Sequence, residues 1–454
     1  MGFNEQNATG ITDQSGGLRE IATLATPLVF SQILITAMGV VDSMVVGRLG
    51  ASELAAVGLA GMWVWALSAF FVGAATSVQT FVAQHHGANE SEKCGSWCWQ
   101  GLISVVPCAA IAGLLIFLGA HEIMQMLDPS DDVKPLARGY MRARSLGVAG
   151  LAIAVTLSSF FRGIGDVRTP FVATLLANLL NLFLDFGLVY GWFGFPKLGV
   201  VGAGVATTIS EWAYAGIVAW FFGRAALLQA FGTRRAQPDW QAIRRLWRVG
   251  LPIAGQWVTE MAALALFTTF VARMGYAQMA ASHAFVQLMS LSFMQAEGIS
   301  LAAATLVGRY IGAERLDLAE RSYRSSLVLA TLLTAIVATL FMILPEQLIG
   351  LFADDPAVLA FAGPLLMLGA IYQYCDAMAI VTDEKLRGAG DTTWPFIARG
   401  SLAWFIMLPL SYALAFPLGG GLTGAWCGGL VSMAILAALL VWRFRSGAWQ
   451  RIRI

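Results

Sequence analysis

The chain has 454 residues, 58% of them apolar and 12% charged, with a formal net charge of +1 and a mean hydropathy of +0.70. Soluble domains carry about 25% charged residues, so this composition excludes an ordinary water-soluble globule. The balanced charge offers nothing to a nucleic acid or another polyanion.

A transmembrane helix needs about 20 mainly apolar residues. Twelve such stretches follow in order, near 25–47, 55–84, 97–119, 140–161, 170–191, 200–223, 250–272, 281–308, 323–344, 363–384, 395–416 and 422–442. The predicted fold is therefore an all-α integral membrane protein. Residues 1–24 read as a polar N-terminal tail before a full-length span, not as a cleaved signal peptide, whose apolar core is shorter. Residues 25–223 form an N-lobe of spans 1–6, 224–249 a basic linker, 250–442 a C-lobe of spans 7–12, and 443–454 a C-terminal tail. Most of the 28 Lys and Arg fall on tails and connectors that share one side with both termini, Arg234, Arg235, Arg244, Arg245 and Arg248 among them. The positive-inside rule puts that side in the cytoplasm.

The two lobes are one unit written twice. Pro27 matches Pro252, Arg48 matches Arg273, Gly87 matches Gly312, Arg162 matches Arg387 and Pro170 matches Pro395, all at an offset of 225 residues. An even number of spans per repeat keeps the repeats parallel. Twelve helices in two parallel sixes around a central cavity predict a V-shaped bundle that works by rocking its lobes about the linker.

Each repeat also carries an Arg-Gly-x-Gly-Asp turn, at 162–166 and 387–391. It lacks the Lys-Ser/Thr of a phosphate-binding loop. A helix C-cap followed by a proline-initiated helix accounts for it better. Five cysteines lie within or beside spans, so no disulfide framework is expected. His85, His86, Cys94 and Cys98 match no zinc spacing. No motif for covalent or metal-assisted catalysis occurs, so the chain does not read as an enzyme, and no cofactor is expected.

Seven carboxylates fall inside predicted spans: Asp42, Asp185, Glu211, Glu260, Glu297, Asp376 and Asp383. No Lys or Arg sits at the middle of a span, so these acids read as unpaired. A charge at the bilayer centre costs roughly 2.5–3.5 kcal/mol on insertion scales and marks a substrate or ion pathway. An acid without a basic partner avoids that cost by holding a proton or a cation. Asp383 reads as a span-end acid near water, beside Lys385 and Arg387, and the role of Glu211 stays open. Four of the acids have apolar counterparts at the 225-residue offset: Asp42 Phe267, Asp185 Leu410, Glu260 Ile35 and Asp376 Leu151. The scaffold repeats and the charges do not.

Neighbours define two candidate sites. In span 5, Asn178, Asn181 and Asp185 share one helix face, and Asp42 of span 1 belongs to the same lobe. In the C-lobe, Glu260 lies four residues after Gln256, and Asp376 four after Tyr372. Glu260 and Asp376 are expected to face each other with Tyr372 alongside, as a candidate Na⁺ site. Gln287, Gln373 and Glu297 are further candidates for polar groups lining the cavity. Oxygen ligands suit sodium, and the same acids suit a proton, so spacing leaves the coupling ion open.

At these residues the chain resembles a family. Span 1 ends Val41-Asp42-Ser43-Met44-Val45-Val46-Gly47-Arg48-Leu49-Gly50, Gly-Ala turns follow spans 2 and 8, and both Arg-Gly-x-Gly-Asp turns are present. Leu251-Pro252 followed by Glu260, and Tyr372-Gln373-x-x-Asp376, complete the pattern. This is similar to the multidrug and toxic compound extrusion (MATE) family, in its NorM-like branch. The resemblance implies antiport: cationic or amphipathic organic compounds leave in exchange for Na⁺ or H⁺. It implies a C-lobe cation site at Glu260, Tyr372 and Asp376, and an N-lobe site at Asp42, Asn181 and Asp185. It further implies a monomer in a bacterial inner membrane, with small-molecule cations and lipids as partners. Gln295-Ala296-Glu297 departs from the family pattern. A lipid-linked oligosaccharide flippase of the same superfamily is the main alternative, and it should bring Arg or Lys into its cavity. A transporter of some other metabolite is the second.

Overall fold

The computed structural model describes residues 15–352 and 355–452, and among these every regular element is helical. The first half holds α1 (Leu18–Gly47), α2 (Ala51–Gly87), α3 (Ser91–Leu127), α4 (Val133–Ser145), α5 (Val148–Gly163), α6 (Arg168–Tyr190) and α7 (Val200–Phe222). After α8 (Ala225–Phe231) come α9 (Trp240–Ala272), α10 (Tyr276–Gly312), α11 (Leu316–Ile343), α12 (Pro345–Gly350), α13 (Pro356–Leu359) and α14 (Ala362–Gly388). Then α15 (Thr393–Leu402) passes through a π-helical turn, Ala403–Met407, into α16 (Leu408–Ala415), and α17 (Gly421–Arg445) follows.

Among the described residues, eleven helical stretches are long and apolar enough to cross a membrane. The twelfth, α7, joins them when taken with α8, to which it is bent by 67°. Leu332, Ile336 and Leu340 on α11 are exposed at four-residue spacing. An apolar face turned outward needs a lipid solvent, and a chain of such helices is a multi-pass membrane protein. One helix is central in each half. α14 packs against α10, α11 and α17, while α5, preceded by α4, packs against α2, α3 and α7.

The compact units do not follow the repeat boundaries. One runs over Phe30–Ala254; the other starts again at Gly255 and takes in the chain that ends at Val29. Each boundary falls three residues beyond a matched proline, Pro27 in α1 and Pro252 in α9. The N-terminal part of α1 thus packs with the second half, and that of α9 with the first. Two glycines admit these segments. A methyl group on Gly73 would meet the backbone of Ala254, and one on Gly298 the backbone of Val29. Both pairs obey the 225-residue offset.

The segments expected as tails and linker are largely built into the units. Residues 1–14 lie outside the described residues, but α1 already starts at Leu18. Glu20 Oε2 there accepts from the Gly16 N–H at 2.6 Å and from the Tyr310 hydroxyl at 2.7 Å. The stretch 224–249 contains α8 and the start of α9, and α3 holds it. Trp99 Nε1 donates to Thr233 O at 3.0 Å, and Gln100 Nε2 donates to Gln237 O at 2.9 Å. At the C-terminus, Trp449 is 2% exposed.

Both glycine-rich turns close helices, as the C-cap reading requires. Gly165 and Gly390 have φ of +84° and +88°. The Asp166 N–H reaches back to Phe161 O at 2.9 Å, and the Asp391 N–H to Leu386 O at 2.8 Å. Pro170 and Pro395 sit in the first turns of α6 and α15.

The close approaches predict a contrast within one helix type. Gly73→Ala and Gly298→Ala should each destabilise the protein by about 1–3 kcal/mol, because backbone cannot move aside. Gly58→Ala, with nothing near the added methyl, should be neutral or mildly stabilising. Thermal unfolding midpoints in detergent check both.

Candidate functional site

In the first half the predicted residues come together. α1 brings Asp42 and α6 brings Asp185, and the two carboxyls lie within electrostatic reach of each other. Asn181 Nδ2 donates to Asp185 Oδ2 at 3.4 Å. Oδ1 of each acid is buried and receives no hydrogen bond. Asn178 turns elsewhere and ties the helices together, its Nδ2 donating to Leu34 O at 3.0 Å.

Sequence reasoning missed two neighbours, both on α4. Tyr140 is buried within electrostatic reach of Asp42 and Asp185. Arg144 forms a two-pronged ion pair with Glu211 of α7, at 2.8 and 2.9 Å. Their side chains are only 12% and 14% exposed. The expectation that the intramembrane acids lack basic partners is therefore corrected at Glu211. Arg144 looks like a connector residue in the chain, but α4 continues almost directly into α5, which carries it inward.

The second half departs further from the expectation. Glu260 on α9 is not an unpaired acid: Arg399 Nε of α15 stands 3.0 Å from its Oε1. Arg399 Nη2 also donates to Asp383 Oδ2 on α14 at 3.2 Å. Gln256, one turn before Glu260, donates Nε2 to Asp383 Oδ2 at 2.9 Å and more weakly to Glu260 Oε1 at 3.4 Å. It accepts from Arg387 Nη2 at 3.1 Å, and Arg387 also ion-pairs with Glu384. Asp383 is 3% exposed, so it is an interior member of this network and not a span-end acid in water. Its neighbour Lys385 is fully buried, with its ammonium 3.1 Å from the ring centre of Phe444 and 4.3 Å from that of Tyr323.

Asp376 is buried and lies within electrostatic reach of both Arg399 and Glu260. Tyr372, one turn earlier, feels the same three charges. Trp426 of α17 holds its ring edge-on, with centroids 6.4 Å apart, and packs likewise on Phe267 and Phe285. Gln373 is buried, with neither amide atom partnered. Glu297 on α10 faces the network through Glu384, Arg387, Asp383 and Arg399. Gln287 is exposed and stands apart from it. Arg387, Glu384 and Arg399 were the residues missed. The spacing 383, 384, 387 on one helix was the available signal, since it stacks two acids on a base.

No group of three or more His, Cys, Asp or Glu is arranged to hold a metal ion among the described residues. The chemistry on offer is instead carboxyl oxygens that take a proton or share a monovalent cation with amides.

Known proteins share this architecture. A family model described as MatE matches residues 27–186 and 252–413. The chain is 28% identical over 435 residues to the probable multidrug resistance protein NorM of Thermotoga maritima, which covers 95% of this chain and 93% of that protein. It is 29% identical over 444 residues to the probable multidrug resistance protein NorM of Pseudomonas putida, covering 96% and 95%. A solved outward-facing conformation of a multidrug resistance MATE family transporter of the MOP superfamily superposes with a TM-score of 0.88 at 20% identity, over 96% of this chain and 97% of that one. That likeness shows the all-helical, twelve-span fold.

The Arg144–Glu211 pair makes a testable claim about stability. Glu211→Gln or Arg144→Met leaves one charge buried alone and should cost about 3–5 kcal/mol, whereas Arg144→Met with Glu211→Leu should recover most of it. A double-mutant cycle on detergent unfolding midpoints checks the coupling.

Proposed function

The chain belongs to the MatE family, and from that premise we propose that it is a multidrug efflux antiporter of the bacterial inner membrane. It exports cationic or amphipathic organic compounds in exchange for Na⁺ or H⁺ by alternating access. The observation that carries this reading is a cluster of acids inside apolar spanning helices in each half: Asp42 with Asp185, and Glu260 with Asp376 and Asp383. Charge placed where lipid excludes it is kept for transported cations. Relatives bearing the name multidrug resistance protein agree with the substrate class. The basic residues of the connectors favour cytoplasmic termini, and a monomer suffices because each half carries its own acids.

The coupling follows from charge balance. Loading Na⁺ or H⁺ on Glu260 and Asp376 neutralises the site and weakens its hold on a cationic drug. The drug leaves as the ion enters. Tyr372 lines the same site beside Asp376. In the first half, the orphaned Oδ1 atoms of Asp42 and Asp185 offer a second place for a proton or cation, with Asn181 supporting it. A flippase for a pyrophosphate-linked lipid needs free positive charge, and here Arg387 and Arg399 are both engaged by carboxylates and Lys385 is enclosed by aromatic rings.

Purified protein in vesicles, loaded with ethidium and given a sodium or a proton gradient, tests the reading and separates the ions. Glu260→Gln and Asp376→Asn should each reduce ion-driven efflux to background at normal expression, and Asp42→Asn should give a clear loss. Wild-type rates in both C-half variants would overturn coupling through this site and move it to Asp42 and Asp185.

A further inference from the structure

Arg399 makes two unequal contacts. Its Nη2 hydrogen-bonds Asp383, whose side chain is 4% exposed. Its Nε stands 3.0 Å from Glu260, whose side chain is 30% exposed, but without the alignment of a hydrogen bond. One end is therefore buried and aligned as a hydrogen bond. The other lacks that alignment and is less enclosed. A guanidinium and a driving cation want the same Glu260 oxygen, so they exclude each other there. The helix has room for a change. The π-helical turn Ala403–Met407 begins four residues after Arg399, and such a turn holds one residue more than an α-helix, at about 100° of rotation per residue.

We infer that Arg399 is a tethered counter-cation: it occupies Glu260 when the driving ion is absent, and swings off it, still anchored on Asp383, when the ion binds. The inference rests on the antiport reading above and adds a positioning residue to it. Arg399 weakens ion binding, and by doing so hastens ion release on the far side. The charged and titratable groups that face it are Glu260 from α9, Glu297 from α10, and Tyr372, Asp376, Asp383 and Arg387 from α14. On α17, Arg443 is held by Asp391 at 2.8 Å.

The test reads apparent affinity for the driving ion in reconstituted vesicles and, independently, ion binding to the purified protein. Arg399→Gln should lower the half-saturating Na⁺ concentration about tenfold, the factor equivalent to one charge-assisted interaction. If H⁺ is the driver, the pH of half-maximal transport should rise by about one unit. Maximal turnover should fall in either case. Arg399→Lys keeps the charge without the fork and should lie between. A purely structural Arg399 would lower protein yield or turnover and leave the affinity of the folded protein unmoved. That result in Arg399→Gln and Arg399→Lys would overturn the inference. Should Arg399→Gln fail to fold, Arg399→Gln with Asp383→Asn removes tether and anchor together: tighter ion binding supports the inference, and unchanged binding overturns it. Glu260→Gln, run alongside, keeps the two readings apart. Loss of its ion dependence with unmoved Arg399 variants overturns only this inference, while wild-type ion dependence in Glu260→Gln overturns the antiport reading as well.

Discussion

The lipid solvent forbids an isolated charge, and the organisation of this protein follows from how it meets that constraint. Each buried ionic group has been given an answer within its own half. Glu211 takes Arg144, Asp383 takes Arg399 and Gln256, and Glu384 takes Arg387. Asp42 and Asp185 share one site, where the Asn181 amide reaches Asp185. The Lys385 ammonium makes no hydrogen bond and is enclosed by the rings of Tyr323, Phe444 and Trp449. These arrangements differ in how completely the charge is satisfied, and under the proposed function that difference separates structural charges from working ones. The fork between Arg144 and Glu211 is closed on both prongs. The contact between Arg399 and Glu260 is half-open, and the Oδ1 atoms of Asp42 and Asp185 are unsatisfied. Incomplete satisfaction is costly, and a transporter retains it where an ion is to be exchanged.

The duplicated scaffold lets two halves with equal backbones hold unequal chemistry. Pro27 and Pro252, Gly73 and Gly298, and the turns at Gly165 and Gly390 are backbone devices, and all occur in both halves. Backbone geometry is set by φ, by missing donors and by the closeness of helix axes, so it repeats with the sequence that encodes it. The acids are side-chain choices on helix faces already buried, and one change of residue suffices to move them. Thr174 is the counterpart of Arg399 at the 225-residue offset, and Asn178 and Asn181 fall in the stretch that matches the π-helical turn. The fifth span of each half thus faces its acids with a different tool, the Asn181 amide in the first half and a guanidinium in the second.

Much was legible in the sequence because hydropathy and backbone signals are local. Twelve apolar stretches, the parallel repeat, the C-caps at both Arg-Gly-x-Gly-Asp turns and the shared face of Asn181 and Asp185 are all set by spacing along the chain. Membership of the family was legible too, since its motifs are contiguous. Partners across helices were not. Arg144 and Arg399 lie at ends of apolar stretches, where composition reads them as belonging to connectors. Only the continuation of α4 into α5, and the entry of α15 above its proline, carry their long side chains to acids on other helices. The same holds for Asp383: its near neighbours Lys385 and Arg387 suggest an aqueous span end, yet packing of α14 at the centre of its half buries all three. Hydropathy thus determined which segments enter the bilayer, whereas the tertiary packing decided which charges inside it are paired, because ion pairing depends on distances between helices that no spacing along one helix contains.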